Sequence, residues 1–494
     1  MKKRRKYQVF HKAIQDLEPR LLWESFYQVT QIPRPSKKEE KIAKFITDIA
    51  STKGFPSRED DAGNIVVSKP PTKGMEQRPT IVLQSHMDMV CEKNEQKEHD
   101  FEKEPISLKR EGDWIMADDT SLGADNGIGV AAALTIIKSD TIAHGPLELL
   151  FTVDEETGLT GAKALEGDFL KGRILLNLDS EEEGTLFIGG AGGLSTTLTR
   201  AIEWGVTPSR CVAYKVKVDG LCGGHSGLDI NKGLGNAIKL IVRFLFHLAQ
   251  EVKAALFSLN SGEKHNAIPR EAEAGIVIRV EDEILLQKMV KKFETIYKNE
   301  LQFSDKSVRL NIKPILEPPS RVFSSDFQNT LISLLYTLHH GVSTMSYGIP
   351  GQVETSSNLA AVHTFEKQVE ILTSQRSSSV TGIDDCANKI KAAGLLADME
   401  VREGNHYPVW QPDPNSRLLK TALSAYHELY GCEPQVTTIH AGLECGIIRD
   451  HFKGMETISF GPTIKSPHSP DERMNIQSVK KFWDYLVHLL KKIK

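Results

Sequence analysis

Residues Thr80-Ile-Val-Leu-Gln-Ser-His-Met-Asp88 decide how this chain is read. The run through Ser85 reads as a strand buried on both faces, being apolar and β-branched at its centre without polar alternation. It ends in a histidine and an aspartate two residues apart. Leu147-Glu-Leu-Leu-Phe-Thr-Val153 and Arg173-Ile-Leu-Leu-Asn-Leu178 repeat the pattern, and an Ala-rich helix is expected over Gly127 to Ile137. Buried strands alternating with helices predict an α/β fold built on a mainly parallel sheet covered on both faces.

Upstream, two amphipathic helices are expected. Leu21, Leu22, Phe26 and Val29 are placed on one face, Ile42, Phe45, Ile46 and Ile49 on the other, and Gly54 ends the second pattern. Downstream, the texture breaks at Gly189-Gly-Ala-Gly-Gly193. Alternating strands (Val212 to Val218, Glu273 to Val280) and long helices (Leu234 to Val252, Ile284 to Tyr297) follow, and the mixture recurs from about Ser307 to Val401. The α/β pattern returns after Tyr407-Pro-Val-Trp-Gln-Pro412, with strands at Val436 to Ile439 and Thr457 to Phe460 and a closing helix to Lys492. The reading is an α/β domain (1–190, its first 20 residues an extension, and 406–494) interrupted by an α+β insertion of two similar halves (191–405).

Bulk composition excludes more than it identifies. In 494 residues, 61 Lys+Arg against 65 Asp+Glu leave no domain-scale basic excess, so nucleic acid is not an expected partner. The basic clusters Lys2-Lys3-Arg4-Arg5-Lys6 and Lys491-Lys492-Ile493-Lys494 read as solvated tails. No apolar run reaches membrane-spanning length, and none follows the basic start as in a signal peptide. Six cysteines without a C-x-x-C pair suit reduced thiols, so a cytoplasmic location is expected.

The chemistry lies where the strands end. His86 and Asp88 close the first run, Gly123-Ala-Asp-Asn-Gly127 precedes the Ala-rich helix, and Asp154-Glu-Glu156 and Asp179 follow the next two strands. Pro467-His-Ser-Pro-Asp-Glu472 comes after the last. In open α/β sheets ligands bind outside the carboxyl ends of the strands, which predicts convergence. Two histidines with several carboxylates and no cysteine suit a borderline divalent ion such as Zn²⁺, Mn²⁺ or Co²⁺. Asp88 is placed to accept the second ring N–H of His86, and Asp125 can bridge two ions. Adjacent Glu155 and Glu156 point apart at a strand end, so one can ligate while the other serves as a base.

In this order, H-x-D, G-A-D-N-G, D-E-E, N-L-D-S-E-E-E-G and P-H-S-P-D-E resemble the M20 metallopeptidases, most closely their aminoacyl-histidine dipeptidases, from about Leu21 to the end. Gly223-Gly-His-Ser-Gly227, Asn266-Ala-Ile-Pro-Arg270 and His440-Ala-Gly-Leu-Glu-Cys-Gly446 support the resemblance. It implies a dinuclear-zinc catalytic domain with the insertion as lid, two Zn²⁺ per chain (Mn²⁺ or Co²⁺ as alternatives), and a cis peptide bond after Asp125. It gives His86, Asp125 and Asp179 to one ion, and Asp125, Glu156 and His468 to the other. Glu155 becomes the general base, Asp88 the partner of His86, and His225 the oxyanion donor. Asn266 and Arg376 bind substrate, Arg376 through its carboxylate. His440 and Glu444 are expected either to contact the substrate's amino end or to support their loop. The implied reaction is hydrolysis of dipeptides of the Xaa-His type, carnosine among them. A broader dipeptidase or tripeptidase and an N-acyl-amino-acid deacylase are the alternatives, and a non-catalytic peptide-binding homologue is disfavoured because no ligand or base is missing. A homodimer is implied, although an enlarged lid leaves a self-sufficient single chain open.

Overall fold

The computed structural model describes residues 12–494, so the basic run Lys2 to Lys6 lies outside it. The described residues divide into two compact units: 12–189 with Pro412–Thr437 and Leu443–Lys494, and Gly190–Gln411 with Thr438–Gly442. No helix among the described residues is long and apolar enough to cross a membrane.

In the first unit, strands Leu147–Thr152, Ile81–His86, Ile174–Asn177 and Glu456–Ser459 lie side by side in that order and are parallel. The sheet is antiparallel beyond this centre, where Ile65–Lys69 pairs with Leu147–Thr152 and Thr185–Gly190 with Glu456–Ser459. Every residue of Ile81–His86 and Leu147–Thr152 is buried, as an unalternating apolar run requires. The Ala-rich helix starts three residues earlier than expected, at Ala124, with Asp125 and Asn126 outside helical φ/ψ. It is buried almost all round, the mark of a helix inside a core rather than on a surface. The first amphipathic helix, Arg20–Thr30, lies against it, and the Thr135 hydroxyl meets Ser25 Oγ at 3.1 Å. Leu22, Phe26 and Val29 face inward on this helix, whereas Leu21 is 37% exposed. At 100° per residue, Leu21 falls beside the 22/26/29 stripe rather than on it.

The second unit holds a nine-stranded sheet and resolves the expected halves differently. One set of strands is Cys211–Asp219, Ala255–Ser261, Ala272–Arg279 and Arg309–Ile315; the other is Gly192–Ala201, Val353–Thr364, Gln368–Ser377 and Glu400–Tyr407. Numbered by chain order within each set, the sheet reads fourth, first, third, second, then second, third, first, fourth. Helices Ala237–Glu251 and Glu283–Glu300 complete a β-α-β-β-α-β order in one set, and Ser325–Thr337 and Val380–Leu396 do so in the other. The second half therefore does not begin at Ser307. Its first strand is Gly192–Ala201, and the whole first half is inserted after it. Strand partners are tertiary pairings that local sequence does not encode, which is why the division at Ser307 failed.

Candidate active site

The ends of the parallel strands bring the expected ligands together in the first unit. His86 Nε2 lies 3.1 Å from Asp125 Oδ1 and 3.3 Å from Asp179 Oδ1. His468 Nε2 lies 3.1 Å from Asp125 Oδ2 and 3.1 Å from Glu156 Oε2. The two carboxylate oxygens of Asp125 thus face different triads. Glu156 Oε1 and Asp179 Oδ1 are buried without a hydrogen-bond partner. The Asp125–Asn126 peptide is cis, and His468 holds a left-handed φ of 57°. A non-glycine residue kept in that region is over-determined by its surroundings, a feature that clusters at functional sites.

Asp88 ties His86 to Glu155. Its Oδ1 lies 3.2 Å from His86 Nδ1 and accepts the Glu155 amide at 3.1 Å; its Oδ2 accepts the Glu156 amide at 3.2 Å and the Ser36 hydroxyl at 2.7 Å. Burial opposes ionisation of Asp88, yet these donors, His86 first, hold its carboxyl at about 2. With Nδ1–H directed to Asp88, Nε2 of His86 presents its lone pair to two carboxylates, an arrangement that only a proton or a cation relieves. His86, Asp125 and Glu156 offer donor atoms within 4.8 Å of one another. Imidazole and carboxylate donors with orphaned buried oxygens fit a borderline divalent ion.

Glu155 and Glu156 do not diverge as neighbours at a strand end. Asp154, at φ 49°, turns the chain into a short helix, Glu155–Gly158, and successive helical residues project about 100° apart. Burial drives the Glu155 carboxyl well above its ordinary range, helped by Asp179, Glu444 and Glu156 and opposed by His86.

Glu444 is wholly buried. It accepts from Gln84 Nε2 at 2.5 Å and Thr152 Oγ1 at 2.8 Å, so it braces two parallel strands near their carboxyl ends. Burial raises its carboxyl to about 8.

The second unit gathers His225, Asn266, Arg376 and His440. The pair Gly224–His225 forms a two-residue ladder with Ala267–Ile268, placing His225 beside the exposed Asn266, whose carbonyl accepts the Ser226 amide at 2.8 Å. His225 Nδ1 accepts the amides of Gly227 and Leu228 at 3.2 and 3.0 Å, which makes Nε2 the N–H donor. Burial, with the Arg376 charge added, lowers this imidazole to about 4. Arg376 is no surface arginine, being 5% exposed, and among the described residues no carboxylate pairs with it. It donates to the Tyr407 hydroxyl at 2.5 Å, and its Nε lies 3.4 Å from Ser226 Oγ. His440 Nε2 meets Ser356 Oγ at 2.7 Å. A buried cation lacking a counter-ion is a place for an anion.

Sequence reasoning passed over Tyr407, noted only as a domain boundary. A Cβ on Gly193 would lie 2.1 Å from its ring carbons, and one on Gly442 2.6 Å. The glycine-rich break at 189–193 is therefore partly the space that this ring occupies. Arg34 was passed over too, because it sits in no periodic pattern, and Glu472 was quoted only as the last residue of Pro467-His-Ser-Pro-Asp-Glu472, without a role.

Comparison with known proteins extends these observations. Residues 82–492 match the model of peptidase family M20/M25/M40. The cytosol non-specific dipeptidase of Escherichia coli (strain K12) is 41% identical over 480 residues, 97% of this chain and 99% of that protein. The crystal structure of aminoacylhistidine dipeptidase from Vibrio alginolyticus superposes with a TM-score of 0.89 at 40% identity, covering 98% and 99% of the two chains. Aminopeptidase PepT from Bacillus cereus ATCC 10987 shares the fold, with a TM-score of 0.57 at 17% identity over 97% of this chain and 99% of its own.

Proposed function

Because the chain belongs to peptidase family M20/M25/M40 and is a peptide hydrolase, we propose that it is a dipeptidase working with two divalent ions, with Xaa-His dipeptides such as carnosine among its substrates. The observation that carries the metal reading is the sharing of Asp125: one oxygen faces His86 and Asp179, the other His468 and Glu156. His86, Asp125 and Asp179 would hold one ion, and Asp125, Glu156 and His468 the other, with Zn²⁺ the first choice and Mn²⁺ or Co²⁺ next. Bound there, such ions supply Lewis acidity and a more acidic water.

The protein's own groups do the rest. Glu155, its basicity raised by burial, takes a proton from water and returns it to the leaving amine. Asp88 holds both His86 and the Glu155 backbone in place. From the second unit, His225 donates its Nε2–H to the oxyanion, and Arg376 receives the free carboxylate of the substrate, with Asn266 and His440 as further substrate contacts. Arg376 supports a substrate with an unblocked C-terminus.

The relative of Escherichia coli is named non-specific, which favours a wide dipeptide range over strict Xaa-His selectivity. A panel of carnosine, Leu-His, Leu-Gly, a tripeptide and an N-acetyl amino acid, with and without chelator, tests both. Chelator-sensitive turnover of the dipeptides is expected; preference for the N-acetyl compound, or turnover indifferent to chelator, overturns the proposal. A cytoplasmic homodimer accompanies the reading, and light scattering on the pure protein checks the dimer.

A further inference from the structure

The Asp125 loop is gripped from both sides by charged residues outside both proposed ligand sets. Glu472 is 2% exposed and accepts four consecutive amides. Its Oε2 takes Leu122 and Gly123 at 2.7 and 2.9 Å, and its Oε1 takes Ala124 and Asp125 at 2.8 and 3.3 Å. Arg34 is 1% exposed and donates to three carbonyls. Its Nη1 reaches Met87 at 2.9 Å and Asp88 at 2.5 Å, and its Nη2 reaches Gly123 at 2.5 Å. The Gly123 residue is thus held at its N–H by Glu472 and at its C=O by Arg34. Its φ is 65°, and a Cβ there would lie 2.6 Å from Arg34 Nη2, so only glycine lets the guanidinium this close.

The two residues join different segments. Glu472 stands four residues after His468, so it links the His468 segment to the Asp125 loop. Arg34 lies between the first two helices and links the Asp125 loop to the His86–Asp88 segment. Both side chains are fully desolvated, a cost that hydrogen bonds must offset; Glu472 and Arg34 together engage seven backbone groups, and Arg34 Nε alone is left without a partner among the described residues. We infer that Glu472 and Arg34 are positioning residues that divide the setting of the bridging carboxylate: Glu472 fixes Asp125 relative to His468, and Arg34 fixes it relative to His86.

The inference rests on the dinuclear reading proposed above. The test is a chelator-buffered Zn²⁺ titration of the full chain, giving both stepwise dissociation constants for the wild type, Glu472→Gln and Arg34→Lys, with thermal unfolding of the metal-free forms alongside. Glutamine offers one acceptor oxygen where four amides need two, and lysine cannot span three carbonyls in the guanidinium's fixed fork. In each variant one constant is expected to weaken at least tenfold while the other moves less than threefold. The affected step should differ between the variants, and Glu472→Asp should fall between wild type and Glu472→Gln. A wild type that binds fewer than two ions overturns the dinuclear reading itself. A wild type that binds two, with both constants unchanged or both falling equally in the variants, overturns this inference alone, because a general loss of stability does not select one step. A variant that does not fold is replaced by Glu472→Asp or Arg34→Gln, judged by the same split.

Discussion

Asp88 and Glu155 are joined through the backbone: Asp88 Oδ1 accepts the Glu155 amide at 3.1 Å while lying 3.2 Å from His86 Nδ1. One carboxylate oxygen therefore sets the orientation of a proposed metal ligand and the start of the helix that presents the proposed base. Replacing Asp88 by Asn keeps the shape but turns one acceptor into a donor that faces an N–H. We expect metal affinity and kcat to fall together, each by roughly 10–100-fold, as read by titration and steady-state assay of the same preparation.

Glu155→Gln separates base from ligand. Metal content is expected to match the wild type by elemental analysis, while kcat falls about 10³-fold. Turnover within a few-fold of the wild type would remove Glu155 from the mechanism.

Arg376 is tested through the substrate's charge. Arg376→Met is expected to lower kcat/KM for an unblocked dipeptide by about 10–100-fold, the worth of a charged hydrogen bond. A C-terminally amidated dipeptide, already poor, should be scarcely affected. Tyr407→Phe removes only the hydroxyl that accepts from Arg376, and a loss of about threefold to tenfold is expected.

Gly193→Ala asks whether the Tyr407 ring is as tightly seated as the geometry says. A methyl 2.1 Å from the ring carbons forces Tyr407 aside, and we expect a loss of about 1–3 kcal/mol in chemical denaturation. A raised KM should accompany it, since Arg376 loses its support.

His440 gives the fold a pH dependence of definite sign. Burial, with Arg376 and His225 nearby, lowers its imidazole to about 3, against about 6.5 in the unfolded chain. The unfolded state thus binds the extra proton first as pH falls below about 6.5. Stability is full above that value and is lost progressively towards pH 3. Denaturation between pH 7 and pH 4 should show this slope reduced in His440→Gln; an unchanged slope would mean that other groups carry it.

The candidate site was legible where one of its residues follows a strand or turn in the sequence. His86 ends its strand, Asp125 starts the buried helix, and Asp179 comes two residues after Asn177, so strand prediction alone put these groups at one edge of one sheet. Arg34 lies between two prolines in an unpatterned connection, and its three carbonyl partners lie 53 to 89 residues away. Tyr407 is an ordinary strand-end tyrosine until its ring is seen to need Gly193 and Gly442. Neither residue carries a periodic or charge-pattern signal.

Hydrophobic pattern and residue type determined by themselves the buried parallel strands, the interrupting insertion and the kinds of donor at each strand end, because those depend on local periodicity and chemistry. Only the tertiary structure decided that Gly192–Ala201 is the first strand of the second half, that Asp125 turns one oxygen to each triad, and that Arg34 and Glu472 hold its loop from opposite sides. Those are pairings between distant segments, fixed by shape and by the need of every buried polar group for a partner. A linear pattern holds no record of them.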